Sequence, residues 1–293
     1  MSILNGLSFD IEDWFQVENL KEVISCNEWD GCDLRVIQNT KRILSLLEKN
    51  QTRATFFVLG WIAEKCPSLI KEIAAGGHEI SSHGYGHELI YKLTQDEFHK
   101  DIKRSKEILE SITSTPVLGY RAPSFSITPK SEWAIDVLKG LGFTYDSSIF
   151  PTSFHNRYGF NGISPLPFQF NNGLSEIPLS TYRFGGANFP LAGGGYFRLF
   201  PYVYFRHFFR RLNRQGKPIV FYLHPWELDP GQPKMKVRFN YRLRHYVNLE
   251  KTERRLEKLL KEFRFVPLIN LVDNYFAHSK QLTTDRLPMT NNQ

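Results

Sequence analysis

Two hydrophobic patterns alternate along the chain. Short apolar runs indicate buried strands, and longer stretches with apolar residues three or four positions apart indicate amphipathic helices. The strand-like runs lie at 7–11, 53–60, 117–120, 143–145, 219–223 and 265–268. The helical stretches lie at 40–50, 61–77, 94–112, 131–142, 248–263 and 269–276. Since strands separated by helices usually pair in parallel, the sequence predicts an α/β fold with a parallel sheet, open or closed into a barrel.

The same pattern predicts a single domain without internal repeats. The segment 150–198 is rich in glycine, proline, asparagine and aromatic residues, which indicates an insertion of loops and irregular strands. Residues 277–293 are polar and are expected to form a frayed tail after a domain that spans 1–276.

The composition is that of an ordinary globular protein, with 41% hydrophobic and 23% charged residues. Three cysteines are too few for a disulfide framework and indicate reduced thiols. The first residues carry no basic leader, and no uncharged apolar run reaches ~20 residues, so neither a secretory signal nor a membrane span is predicted. We therefore expect a cytoplasmic protein.

Positive charge is concentrated in the C-terminal part of the chain. Residues 198–264 include 17 Lys and Arg against 6 Asp and Glu, whereas the whole chain carries a formal net charge of +7. Such a block is typical either of a solvated basic face or of contact with an anionic partner, for which we consider a phosphate-bearing substrate or a membrane surface rather than nucleic acid. In a helix at 202–215, apolar residues share one face, which is expected to pack on the domain. In the alternative, the arginines of this helix reach anionic lipid headgroups, or the pyrophosphate of a lipid-linked glycan, at the inner membrane face.

Chemically capable residues follow the predicted strands. They are Asp10, Glu12 and Asp13 after the first run, His83 and His87 in the stretch EISSHGYGH at 79–87, Arg121, Asp146 and His224. Because catalytic groups of parallel α/β folds gather at the carboxyl ends of the strands, we expect these side chains to form one site.

These residue types suit metal-assisted hydrolysis. Two neutral histidines and one carboxylate leave a position open for water, as in catalytic Zn²⁺ sites. A second carboxylate takes the proton of the water, and a histidine protonates the leaving nitrogen. An arginine beside the base would keep it ionised. We therefore predict a hydrolase with a divalent metal, Zn²⁺ by the nature of its ligands.

The motifs SFDIED, SSHGYGH, GYRAPSFS, YDSS and FYLHP follow one another in this order. With the run ATFFVLG they resemble the polysaccharide deacetylases of the NodB-homology carbohydrate esterases, over about residues 5–275. The opening DIEDWF and the stretch GGGYFR at 193–198 are similar to the deacetylases associated with bacterial exopolysaccharide and O-antigen assembly. The resemblance implies a distorted (β/α) barrel, often seven-stranded, and hydrolysis of N-acetyl groups on a polysaccharide or on a lipid- or nucleotide-linked sugar.

The resemblance also implies a role for each motif residue. Asp10 matches the general base, His83 and His87 match the metal-binding pair, Arg121 matches the arginine that supports the base, and His224 matches the general acid. Asp146 is expected either to orient His224 or to contact Arg121, or else to be an ordinary turn residue.

The carboxylate ligand of the metal is less clear, because the usual second aspartate of the first motif is replaced by Ile11. Glu12 lies two positions after Asp10 and would share its face of a strand. Asp13 reaches the site only if the chain turns after Ile11, so Glu12 is preferred and Asp13 is the alternative. The activity also has alternatives: a C–N hydrolase of small non-sugar amides such as allantoin, and a glycan-binding relative without catalysis.

Overall fold

The first strand of the sheet along the chain is β1 (Asn5–Ile11), which is buried along its whole length. The computed structural model of the protein describes residues 3–152, 159–160, 162–185 and 187–284. The further strands in this part of the chain are β2 (Thr55–Val58), β3 (Glu79–Ser82), β4 (Gly119–Tyr120), β5 (Tyr145–Asp146), β6 (Phe168–Gln169), β7 (Ser175–Glu176), β8 (Thr181–Phe184), β9 (Ala187–Pro190), β10 (Val220–Leu223) and β11 (Phe265–Val266).

Helices connect most of these strands. They are α1 (Val36–Lys49), α2 (Gly60–Lys65), α3 (Pro67–Ala75), α4 (Gln95–Thr113), α5 (Ala134–Gly140), α6 (Gly194–Leu199), α7 (Tyr202–Arg214), α8 (Phe239–Tyr246), α9 (Leu249–Glu262) and α10 (Leu268–Thr284). The predicted helix at 61–77 is divided into α2 and α3, because Pro67 has no N–H to continue a helix and instead occupies the first turn of the next one. Thr94 caps α4 as its Thr-x-x-Glu spacing predicts.

The sheet confirms the α/β class. Its strand order is β10-β1-β2-β3-β4-β5-β7-β6, with β11 paired to β1, and the pairings from β10 through β7 are all parallel. The antiparallel hairpin β8–β9 lies apart from it. This order does not confirm the seven-stranded barrel, because nine strands of the described residues form an open sheet whose end strands β10 and β6 do not pair.

Irregular backbone occupies the space where a barrel would close. The Leu191 N–H donates to the Ser180 carbonyl, and the Tyr222 N–H of β10 donates to the Ala192 carbonyl. Gly193 adopts a φ of 121°, and a Cβ there would lie only 2.0 Å from the Tyr222 carbonyl oxygen. Glycine therefore permits the close passage along β10 that leads directly into α6.

The predicted insertion at 150–198 thus contains β6, β7, β8, β9 and most of α6, while its residues 153–158, 161 and 186 lie outside the described residues. In the predicted tail at 277–293, residues 277–284 continue α10, and residues 285–293 lie outside the described part.

The apolar face of α7 packs into the core. Phe205 and Phe209 are fully buried and Leu212 is nearly so, within the cluster that also contains Phe221 of β10. The exposed face of α7 carries Arg206, Arg210, Arg211 and Arg214. The packing alternative for the apolar face is therefore correct.

Candidate active site

A buried ion pair forms at the carboxyl end of β1. The Asp10 carboxylate accepts a hydrogen bond of 2.7 Å from Arg121 Nη1, and neither side chain is more than 2% exposed. Alternation along β1 places Leu7, Phe9 and Ile11 in the core and turns Ser8 and Asp10 to the opposite side. The arginine follows directly after β4, so two strand ends meet here as predicted.

The guanidinium of Arg121 is held on every side. Its Nη1 also donates to Ser8 Oγ, and its Nε and Nη2 donate to the carbonyl and hydroxyl oxygens of Ser147 at 3.0 and 2.9 Å. The ring of Phe57 lies 4.1 Å from the guanidinium carbon. This buried, fully bonded guanidinium fixes the position of the Asp10 carboxylate.

His83 and His87 lie on either side of a tight glycine loop after β3. The Asp101 carboxylate accepts hydrogen bonds from the backbone N–H groups of Tyr85 and Gly86, at 2.8 and 3.2 Å, and so fixes the loop. His87 itself has a left-handed φ of 53°, a conformation rare for residues other than glycine. The glycines at this spacing therefore serve to bring two imidazoles together in a turn.

The tautomer of His83 follows from its neighbour. Its Nδ1 lies 2.8 Å from the Arg121 carbonyl oxygen, which can only accept, so Nδ1 carries the proton and Nε2 is the free donor atom. Burial lowers the pKa of His83 from 6.5 to about 4, so the ring is neutral near neutral pH. A neutral imidazole with one oriented nitrogen is what a metal ligand requires.

Glu12, His83 and His87 form the candidate metal centre. Their donor atoms all lie within 4.8 Å of one another, and all three side chains are buried. His87 Nε2 lies 2.7 Å from Glu12 Oε2, and this oxygen and His87 Nδ1 are buried without a hydrogen-bond partner. Burial raises the pKa of Glu12, but the histidines, with His87 foremost, outweigh it and hold that pKa far below its usual range. An anionic carboxylate, two imidazoles and an unsatisfied buried oxygen fit a divalent cation such as Zn²⁺.

Asp13, the alternative ligand, lies outside this group of donor atoms. Its carboxylate accepts hydrogen bonds from the backbone N–H groups of Trp14, Arg35 and Val36, at 2.7–2.8 Å, and so caps the start of α1. Burial raises the pKa of Asp13 to about 6. Because both oxygens are committed to backbone donors, the structure favours Glu12 over Asp13.

His224 follows β10 and faces the same group. Its Nε2 lies 3.2 Å from Glu12 Oε1 and 3.8 Å from Asp10 Oδ2. Burial lowers the pKa of His224, but the three carboxylates around it outweigh burial and raise that pKa from 6.5 to about 9. The ring is therefore protonated near neutral pH, as a general acid must be.

Glu227 orients His224, and the sequence analysis missed it. Its Oε1 accepts a hydrogen bond of 2.7 Å from His224 Nδ1, and its Oε2 lies 2.6 Å from Nε of the buried Arg198. The ion pair is almost fully buried, with side chains 0% and 1% exposed. The only sequence signal is a carboxylate three residues after a histidine at a strand end, which is capping-box spacing.

Asp146 is a turn residue, which is the last of the alternatives expected for it. Its oxygens accept hydrogen bonds from the hydroxyl and N–H of Ser148, and it shares a hydrogen bond with buried Glu176. Neither His224 nor Arg121 hydrogen-bonds to it. The expectation that Asp146 orients His224 or contacts Arg121 is therefore not supported. Glu227 instead orients His224, and Asp146 fixes the turn whose Ser147 holds Arg121.

The candidate catalytic and metal-binding side chains line one open cavity of about 370 Å³. Its floor holds Asp10, Glu12, His83, His87 and His224, and its walls include Ser124, Phe125, Tyr196, Leu199, Tyr222, Trp226, Asn240, Leu243, Arg244 and Val247. A base, a cation site and an acid thus surround one space large enough for a sugar residue, an arrangement suited to hydrolysis of an amide.

Comparison with known proteins agrees with the motifs. Residues 29–145 match the family model of the polysaccharide deacetylases, and residues 147–273 match a domain of unknown function, DUF3473. The first model contains His83, His87 and Arg121, and the second contains His224. Each model therefore matches a different part of the chain, and each part supplies residues to the candidate site.

One relative is the peptidoglycan-N-acetylglucosamine deacetylase of Bacillus cereus, 39% identical over 110 residues, which are 38% of this chain and 37% of that protein. The match thus spans well under half of the relative. Among solved structures, the fold is similar to a crystal structure from Mycobacterium smegmatis whose title names a polysaccharide deacetylase (TM-score 0.63, 19% identity, 95% and 92% coverage). It is also similar to Puue allantoinase (TM-score 0.61, 16% identity, 94% and 90% coverage). At these identities the structural likeness concerns the fold alone.

Within the described residues, the helices are too short or too polar to cross a bilayer.

Proposed function

We propose that the protein is a metal-dependent deacetylase that hydrolyses an N-acetyl group on a sugar of a polysaccharide or of its biosynthetic precursor. The observation that carries the proposal is the placement of a buried Glu-His-His donor set between Asp10, which pairs with Arg121, and His224. A protein that only bound glycan would need neither the base nor the acid, so the complete set supports catalysis.

The residues of the chain divide the reaction between them. A divalent cation held by Glu12, His83 and His87 would acidify water and polarise the acetyl carbonyl. Asp10, held in place by Arg121, takes a proton from the attacking water as the water oxygen bonds to the carbonyl carbon. His224 then gives its proton to the sugar nitrogen as the C–N bond breaks, which leaves acetate and a free amine. Glu227 and Arg198 hold the acid in line for this transfer.

The identity of the metal and of the substrate are parts of the same proposal. Zn²⁺ suits two imidazoles and a carboxylate, although other divalent ions prefer overlapping ligand sets. The relatives are named as peptidoglycan deacetylases, whereas the DIEDWF and GGGYFR motifs resemble deacetylases of exopolysaccharide and O-antigen assembly. We assign the enzyme to the second group, with an N-acetylated sugar on a lipid or nucleotide carrier as its substrate. A cytoplasmic enzyme at the inner membrane face would meet such a precursor before export.

A panel of N-acetylated substrates tests this assignment. Acetate release is measured with chitooligosaccharides, peptidoglycan fragments, nucleotide-linked and lipid-linked N-acetyl sugars, and allantoin as the small-amide comparison. Turnover of the sugars that stops with chelator and returns with Zn²⁺ is the expected result. Turnover of allantoin alone, or full activity in a protein shown to hold no metal, would contradict the proposal.

A further inference from the structure

Exposed apolar side chains lie in the lining of the active-site cavity and close to it along the chain. Leu199 and Leu243, which are 51% and 49% exposed, line the cavity from α6 and α8. Four positions further along the chain from Leu199 is Val203, 68% exposed, and one helical turn before Leu243 is Phe239, 79% exposed. These residues and Phe200 are named the apolar rim. Large side chains exposed to this degree, on helices that line the cavity or directly follow them, indicate an interaction surface.

The two sides of the apolar rim belong to one continuous surface. The buried guanidinium of Arg198, in α6, donates to the backbone carbonyls of Arg244, His245 and Val247 at the end of α8. On α8, Phe239 and Leu243 lie one above the other on a single face. The rim is thus held together by the same arginine that binds Glu227, beside the catalytic acid.

The segments that carry the apolar rim are rich in cations, of which Arg198 is buried against Glu227 and Arg206 pairs with Glu262. Residues 177–226 contain seven Lys and Arg and no Asp or Glu, and residues 230–249 contain five Lys and Arg and again no acidic residue. Arg206 and Arg242 lie exposed within these two segments. An apolar patch surrounded by cations is complementary to a bilayer with anionic headgroups, where the charges meet phosphates and the apolar groups enter the interface.

We infer that the apolar rim docks on an anionic lipid bilayer, so that the active-site cavity opens directly against the membrane surface. This inference rests on the proposed function and narrows its substrate to a glycan carried on a lipid in that bilayer. A soluble polyanion would satisfy the arginines but would leave Val203 and Phe239 in water. The bilayer is therefore the partner that accounts for both features.

Vesicle co-sedimentation tests the inference with the double variant Val203→Ser/Phe239→Ser. Neither residue lines the cavity, so turnover of a soluble N-acetylated oligosaccharide should be unchanged. The double variant Leu34→Ser/Ile37→Ser is the matched control, since these side chains are 36% and 37% exposed at the start of α1. The wild type should bind phosphatidylglycerol-containing vesicles, bind neutral phosphatidylcholine vesicles poorly, and bind less in high salt.

The rim variant should bind those anionic vesicles about tenfold or more weakly, because it lacks two apolar side chains that would enter the bilayer interface. The control variant should bind as the wild type does. Absence of wild-type binding, or equal binding by the rim variant, would overturn the inference. Binding that soluble dextran sulfate abolishes and that the rim variant retains would identify a polyanion site instead. Vesicle binding without turnover of any N-acetyl sugar would refute the proposed function and leave the docking surface standing.

Discussion

Replacement of Glu227 by glutamine tests whether the charge of Glu227 keeps His224 protonated as the proposed catalytic acid. Glu227 accepts from His224 Nδ1 at 2.7 Å and is one of the three carboxylates that raise the pKa of that ring. The glutamine oxygen keeps the size and can still accept from the ring, but it removes the negative charge. His224→Ala would instead delete the acid, so Glu227→Gln separates the tuning of the proton from its presence.

The expected size follows from the site. A rise from 6.5 to about 9 corresponds to roughly 3 kcal/mol in favour of the protonated ring. Loss of one of the three carboxylates should lower the pKa of His224 by about one unit or more. The alkaline limb of the kcat/KM profile should move to lower pH by the same amount, and activity above the new limb should fall about tenfold.

The substitution also removes the ionic partner of buried Arg198, and breaking a buried pair typically costs about 3–5 kcal/mol of folding stability. Asp229→Asn is the control. Asp229 lies only two positions after Glu227 and forms an ion pair of 2.5 Å with Arg35, but it does not contact His224. Both variants should unfold at lower denaturant concentration, but only Glu227→Gln should shift the alkaline limb. An unmoved limb in a folded Glu227→Gln protein would refute the reasoning.

Three further outcomes are expected. Asp10→Asn should keep its metal by elemental analysis and lose ~10²–10⁴ in kcat, since the base alone is removed; normal turnover would exclude Asp10 as the base. Glu12→Ala should lower metal occupancy. Asp13→Ala should retain metal but destabilise the fold by about 1 kcal/mol or more, because the capping of α1 is lost. The reverse pattern in metal analysis would show that the ligand assignment is wrong. In the metal-free protein, the raised pKa of His224 stabilises the fold fully below pH 6.5, and this contribution is lost as pH rises to about 9. The free energy of unfolding, measured with urea, should therefore fall with pH across that range in the wild type and not in His224→Gln. An equal fall in both proteins would contradict this prediction.

The site could be predicted from sequence where its chemistry follows a strand directly. Asp10, Arg121 and His224 each lie at or just after the end of a strand of one parallel sheet, and parallel strands deliver their carboxyl ends to one edge. The histidine pair could be predicted as metal ligands because two imidazoles four positions apart in a glycine-rich turn are not explained by packing in a helix. Local sequence sufficed for these residues.

The supporting contacts could not be predicted in the same way. Arg198 lies in the irregular insertion, and its partner Glu227 comes 29 positions later, so only the folded chain brings them together. The choice between Glu12 and Asp13 depended on the turn after β1, where the Glu12 N–H donates to the Asp10 carbonyl and Asp13 is directed to α1. Asp146 was assigned a role from its strand end alone, and its contact with Glu176 was not visible in the pattern. The open edge of the sheet could not be predicted either, because it depends on the irregular insertion that lies where a barrel would close.

Mass spectrometry of the products formed in heavy-oxygen water tests the central claim most directly. The Zn²⁺-loaded protein acts on an N-acetylated oligosaccharide, with the chelated protein and Asp10→Asn as parallel samples. The account predicts a sugar that has lost an acetyl group with its glycosidic bonds intact, and acetate that carries the heavy oxygen, in the loaded wild type and at most in trace amounts in the other two. Unlabelled acetate, cleaved glycosidic bonds, or equal product from the Asp10→Asn protein would contradict it.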